Sequence, residues 1–132
     1  PLVVIDMGTA TTLSVADKKG NYIGGVILPG LRVSLNSLSG KTAQLPYISL
    51  EVPNKVIGKN TIDCMRAGIV FSNVDMIDGI LDRMEKELGE TPTVIATGGL
   101  ARFITPLCRH EIIFDDALLL KGLLILYRKN TQ

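Results

Sequence analysis

An α/β domain built on a mixed sheet is what this 132-residue sequence predicts. Three observations point there. Val3–Ile5 and Thr93–Thr97 are short, β-branched apolar runs, the pattern of strands buried on both faces. Thr61–Leu88 carries Ile62, Met65, Ile69, Val74, Ile77, Leu81, Met84 and Leu88 at helical spacing. Three leading strands, followed by strands that alternate with helices, give a mixed sheet with helices packed on it.

In order, Thr12–Ala16 alternates as a strand, and Asp17-Lys18-Lys19-Gly20-Asn21 is a hairpin turn. Tyr22–Leu28 is the returning strand. Its Gly24-Gly25 pair marks a bulge or a close approach of a ligand or another backbone, and the bulge is the default. Pro29-Gly30 ends the strand. Leu31–Leu38 follows as a short helix closed near Gly40. Lys41–Val56 reads as a loop with one short strand at Tyr47–Val52. The long helix is capped by the Asn60-Thr61 pair, has Asp63 in its first turn and stops at Gly89; Gly68 and Gly79 are places for a kink. Thr93–Thr97 is then a strand, Leu100–Leu107 a short helix, Glu111–Phe114 a strand and Ala117–Lys129 a closing helix.

The chain has the size of one domain with a sizeable core. It is 46% hydrophobic and 20% charged, with a net charge of +1, so nothing in its balance calls for nucleic acid or an anionic membrane. No apolar run nears the ~20 residues that span a bilayer. Cys64 and Cys108, far apart and without metal-ligand spacing, read as reduced, buried and structural, which points to the cytoplasm. A first residue Pro1 and a strand starting at once are expected of a piece cut from a longer protein.

Val3–Thr12, VVIDMGTATT, is the stretch with chemistry in it. A strand that ends in Asp6 and continues into Gly8, Thr9, Thr11 and Thr12 suits a phosphate or metal loop. Gly8 permits close backbone approach, the threonines offer hydroxyls and N–H groups, and Asp6 offers oxygens to a hard cation. An ordinary Asp-x-Gly hairpin fits the same residues. A second strand runs into Gly98-Gly99. Two glycine loops at the carboxyl ends of strands are consistent with a nucleotide, one loop at its phosphates and the other at its sugar and base.

The motifs IDMGTATT, GGVILPGL, KTAQLP, VIGKNTIDCMRAG and VIATGGLA, in that order, resemble the second half of the type III pantothenate kinases, also described as the Bvg accessory factor family. The resemblance covers nearly the whole chain and implies an actin-like, ribonuclease H-like ATPase domain. It implies phosphorylation of pantothenate to 4'-phosphopantothenate, the first step of coenzyme A biosynthesis, with ATP, Mg2+ and a monovalent cation, K+ or NH4+. It also implies a homodimer. Carried over residue by residue, it places the cation at Asp6 and ATP at Gly8, Thr9 and Thr11, with Gly98 and Gly99 on the adenosine side. Pantothenate falls to Thr61.

No DxGNT loop and no GADR segment occur in these residues. The catalytic base is therefore expected in an N-terminal half outside the chain, and residues 1–132 alone are expected to fold without catalysing. Thr61 has a plainer reading as a helix cap. His110 reads as a solvated loop residue, Asp75, Asp78 and Asp82 as a solvent-exposed stripe or dimer surface, and Asp115-Asp116 as a cap for the last helix. Two other classes stay open: a regulatory member that binds nucleotide without transferring phosphate, and an α/β interaction module that takes no nucleotide.

Overall fold

The structure is a computed structural model and describes residues 1–40 and 50–131. Among these residues five strands form one sheet: β1 Leu2–Met7, β2 Thr11–Ala16, β3 Tyr22–Leu28, β4 Thr93–Thr97 and β5 Ile113–Phe114. The helices are α1 Leu31–Gly40, α2 Thr61–Leu88, α3 Ala101–Ile104, which continues as a 3-10 turn at Thr105–Leu107, and α4 Leu118–Asn130. The sheet order is β3-β2-β1-β4-β5, antiparallel through the first three strands and parallel from β1 to β4 to β5. The expected mixed sheet with three leading strands is present. The Lys41–Pro46 motif and most of the strand expected at Tyr47–Val52 lie outside the described residues, and residues 50–52 are not strand.

Strand register sorts the side chains. Val3, Ile5 and Met7 of β1 stand opposite Val15, Leu13 and Thr11 of β2, and Val3 and Ile5 stand opposite Val94 and Ala96 of β4. All of these are buried, and all but Thr11 form one cluster with Leu31 and Leu35 of α1, Met65, Ile69, Val70, Ile77 and Leu81 of α2, and Ala101 and Ile104 of α3. Each wholly buried Leu or Ile contributes about 1.5–3 kcal/mol. The other face of the sheet is different. Leu2, Val4 and Ile95 are half-buried, Asp6 and Thr93 exposed, and Ile27 is 79% exposed. The expectation that Val3–Ile5 and Thr93–Thr97 are buried on both faces is corrected, because α1, α2 and α3 all join the core of one face.

α2 runs its 28 residues unbroken through Gly68 and Gly79. Asn60 alone caps it: its Oδ1 accepts the Asp63 N–H at 2.9 Å, and its Nδ2 donates to the Asp63 carboxylate at 2.9 Å. Thr61 is the first helical residue, so the shared Asn60-Thr61 cap becomes an Asn60 cap. At the far end the Gly89 N–H donates to the Glu85 carbonyl at 3.0 Å. In β3 the register slips between Val15 and Ala16, which pair with Gly24 and Tyr22, so Ile23 is the extra residue of a bulge. Gly24 there has φ +117°, and a Cβ on Gly25 would run into the Leu13 carbonyl.

Four other expectations change. Asp78 is buried, 7% exposed, and its carboxylate accepts the main-chain N–H groups of Arg109 (2.7 Å) and His110 (3.1 Å). His110 is not solvated: its ring Nε2 lies 2.7 Å from Asp82, which also takes the Arg109 guanidinium at 2.6 Å. Cys64 is exposed on the first turn of α2, its thiol 3.3 Å from the Gly58 carbonyl, and Cys108 is half-buried; both are free. α4 starts after Ala117, whose N–H donates to Asp115 at 3.0 Å, and the helix buries none of its residues. Among the described residues no helix is long and apolar enough to cross a membrane.

Candidate functional site

β1 and β4 are parallel neighbours, so the loops that leave them, Gly8–Ala10 and Gly98–Leu100, emerge at the same end of the sheet. They also touch. Gly98 has φ +106°, and a Cβ on it would lie 2.6 Å from the Met7 carbonyl oxygen and 2.9 Å from the Met7 nitrogen. Only glycine brings these two main chains so close. In the first loop Gly8 donates its N–H to the Ala10 carbonyl at 3.2 Å, which closes a tight turn. Gly8, Thr9 and Gly99 are exposed at this end, and Gly98 is half-buried.

Asp6 lies on the open face of β1, directly opposite Thr12 of β2 and Thr97 of β4. Directly opposite residues hold their Cβ atoms about 4.5–5.5 Å apart. One carboxylate therefore sits between two threonine side chains, an all-oxygen set suited to a hard cation. Thr97 is the member that sequence reasoning missed; the period-2 alternation of TVIAT, laid beside Val3–Met7, holds the signal. Among the described residues no three His, Cys, Asp or Glu side chains group to hold a metal, so the fit rests on this single carboxylate and hydroxyls.

Thr11 does not join them. It pairs with Met7 on the buried face, the residue is 2% exposed with its hydroxyl beside Gly30, and that hydroxyl makes no hydrogen bond among the described residues. Its side chain is turned away from the open end where the sequence reading grouped it with Thr9. Thr61 is exposed at the amino end of α2 beside a hollow lined by Leu38, Lys59, Cys64 and Met65.

A mixed α/β sheet that gathers two glycine loops and a carboxylate at the carboxyl ends of its parallel strands has the arrangement in which open α/β domains hold ligands. Comparison with known proteins narrows that class. The family model of the type III pantothenate kinases matches residues 1–83, and the chain belongs to this family. It is similar to type III pantothenate kinases of Bacillus cytotoxicus (44% identical over 98% of this chain and 50% of the relative) and Rhodospirillum rubrum (47%, over 98% and 51%). The chain thus spans about half the length of the curated relatives it matches. A crystal structure from Campylobacter jejuni, described as a Baf family transcriptional activator, is similar with a TM-score of 0.67 over 97% of this chain and 57% of its own. At 23% identity that likeness shows the fold alone.

Proposed function

We propose that this chain supplies one side of the ATP and pantothenate cleft of a type III pantothenate kinase, as the C-terminal, actin-like and ribonuclease H-like half of a longer cytoplasmic, homodimeric enzyme. The observation that carries the reading is the contact of Gly98 with Met7, because it joins the two glycine loops and sets Asp6 beside them. The family membership and the 40–47% identity to pantothenate kinases support the substrate.

Phosphoryl transfer asks a protein for positioning and charge stabilisation. The Thr9 and Ala10 amides, which the turn bond of Gly8 does not use, and the Thr9 hydroxyl are the donors for phosphate oxygens of ATP. Asp6, with the Thr12 and Thr97 hydroxyls, would hold K+ or NH4+. Such a cation supplies positive charge against the phosphates; Mg2+ would arrive with the nucleotide. Gly98 and Gly99 form the wall on the adenosine side, and Thr11 supports the loop from beneath. The amino end of α2, with the exposed Thr61 hydroxyl, suits the carboxylate-bearing pantothenate, since unsatisfied N–H groups and the helix dipole favour an anion there. The base that takes the proton from the pantothenate hydroxyl belongs to the other half.

The test uses the longer protein with ATP, Mg2+, K+ and pantothenate. Phosphopantothenate should form, and Thr61→Val should raise the KM for pantothenate while leaving that for ATP near its starting value. Equal KM values for wild type and variant would remove Thr61 from the site. ATP binding with no phosphopantothenate would put the regulatory reading in place of the kinase.

A further inference from the structure

Arg102 is an exposed arginine whose guanidinium has partners on two sides. Its guanidinium carbon lies over the Phe114 ring, 5.0 Å from the ring centroid. Its Nη2 is 3.5 Å from the Asp116 carboxylate. Phe114 is half-buried and packs against the core, whereas the Arg102 side chain is 74% exposed. One face of the guanidinium therefore rests on an aromatic ring, Asp116 holds an edge, and the other face is open. A guanidinium is flat, delocalised and weakly hydrated, so it can carry a π-ring on that second face.

Its place in the sheet gives that open face a use. β5 is parallel to β4 and pairs Phe114 with Ala96, and the Asp115 N–H donates to the Ala96 carbonyl at 2.9 Å. The carboxyl end of β5 thus opens at the same end of the sheet as the Gly8–Ala10 and Gly98–Leu100 loops. Neighbouring strands lie about 4.8 Å apart, so the end of β5 stands ~10 Å from that of β1, with the Gly98 loop between them. Arg102 leaves that loop in the first turn of α3 and reaches across to the third strand. A nucleotide with its phosphates on the Thr9 and Ala10 amides and its sugar along Gly98-Gly99 brings its base to Arg102. Asp116 offsets the charge of Arg102, so the pair gives little to a phosphate, and the flat open face suits an uncharged ring.

We propose that Arg102, backed by Phe114, is the base-stacking residue of this cleft and takes the adenine of ATP on its open face. The proposal rests on the reading of the cleft as an ATP site and adds to it the side chain that holds the base.

The experiment measures the dissociation constants of ATP and of inorganic tripolyphosphate, both with Mg2+, for the longer protein and two Arg102 variants by calorimetry. Tripolyphosphate carries the charge of the nucleotide without its base. Arg102→Ala should raise the ATP constant about 10-fold, the weight of one stacked base, and leave that for tripolyphosphate within about 2-fold. Arg102→Lys keeps the charge without the flat face and should lose about as much as Arg102→Ala. The Arg102–Asp116 pair is exposed on both sides, so both variants should keep a urea midpoint close to that of the wild type. An ATP constant that stays unchanged in Arg102→Ala would overturn the proposal and leave the cleft reading standing. Equal losses for ATP and tripolyphosphate, or full ATP affinity in Arg102→Lys, would overturn it as well, because charge alone would then be the contribution. A wild-type protein that binds neither ligand would remove the ATP reading and the proposal with it.

Discussion

The main chains of Gly98 and Met7 lie in direct contact, so that a methyl group on Gly98 would stand 2.6 Å from the Met7 carbonyl oxygen. The glycine also has φ +106°, a conformation that side chains rarely adopt. Gly98→Ala should therefore push the two loops apart. We expect a loss of about 1–3 kcal/mol in stability, read by denaturant unfolding, and in the longer protein a rise in the KM for ATP. Unchanged stability would mean that the loops have room to spare.

Asp6 faces Thr12 and Thr97 on the open side of the sheet. Asp6→Asn removes the charge and keeps the shape. On the proposed cation role, this change in the longer protein should abolish a stimulation by K+ or NH4+, measured as the rate of phosphopantothenate formation across a salt titration at constant ionic strength. A variant that keeps the same K+ dependence would move the cation elsewhere.

Asp78 anchors the segment before β5 to α2 by taking two main-chain N–H groups. Hydrogen bonds to a charged group contribute about 1.5–3 kcal/mol each, so Asp78→Ala should cost about 3–6 kcal/mol of stability. Asp78→Asn keeps one acceptor oxygen and should cost clearly less. The two unfolding midpoints, measured side by side, check the order.

The Arg109 guanidinium, and after it the His110 ring, hold the Asp82 carboxyl below its ordinary value. A carboxyl with a lowered folded-state value adds stability above its unfolded value of ~3.9, and that stability is lost as pH falls through the folded-state value. Asp82→Asn should accordingly flatten the fall of stability below about pH 4. The site is exposed, so 1 M salt should shrink the effect. Urea midpoints between pH 3 and 7 at two salt concentrations read it.

The two thiols should react at different rates. Burial, with the charges of Asp78 and Asp75, pushes the Cys108 thiol up to about 12, so at pH 8 it is held neutral. Cys64 is exposed on the first turn of α2. Labelling with a maleimide at pH 8 should modify Cys64 first, and Cys64→Ser should remove the fast phase. Two equal phases would contradict the burial of Cys108.

Much of this fold was readable in the order of residues. α2 shows itself by its spacing over 28 residues, and its start by an Asn60 and an Asp63 that satisfy each other. Gly24-Gly25 announced the bulge, since a doubled glycine inside a strand has little other use. The Asp6 and Gly98 loops could be found because their residue types carry the chemistry themselves. What escaped depends on contacts distant along the chain. Asp78 looked like one more surface carboxylate because its partners lie 31 and 32 residues away. Thr11 and Thr12 are indistinguishable as letters; only the first paired residue of β2 decides which hydroxyl turns inward. The apolar character of α4 was plain, but a run of leucines looks the same whether its own domain covers it or leaves it exposed.

The bulge at Ile23 bears on how the protein behaves at high concentration. Among the described residues β3 ends the sheet on one side and exposes Tyr22, Ile23 and Ile27, which makes it a template for strand pairing between molecules. The extra residue breaks the even row of free N–H and C=O groups and twists the strand away from a flat approach. On the other side β5 is only two residues long, too short to seed a strand of a neighbour. Both ends of the described sheet are thus blunted against cross-β growth, and removing the bulge by deletion of Ile23 should make the domain form fibres.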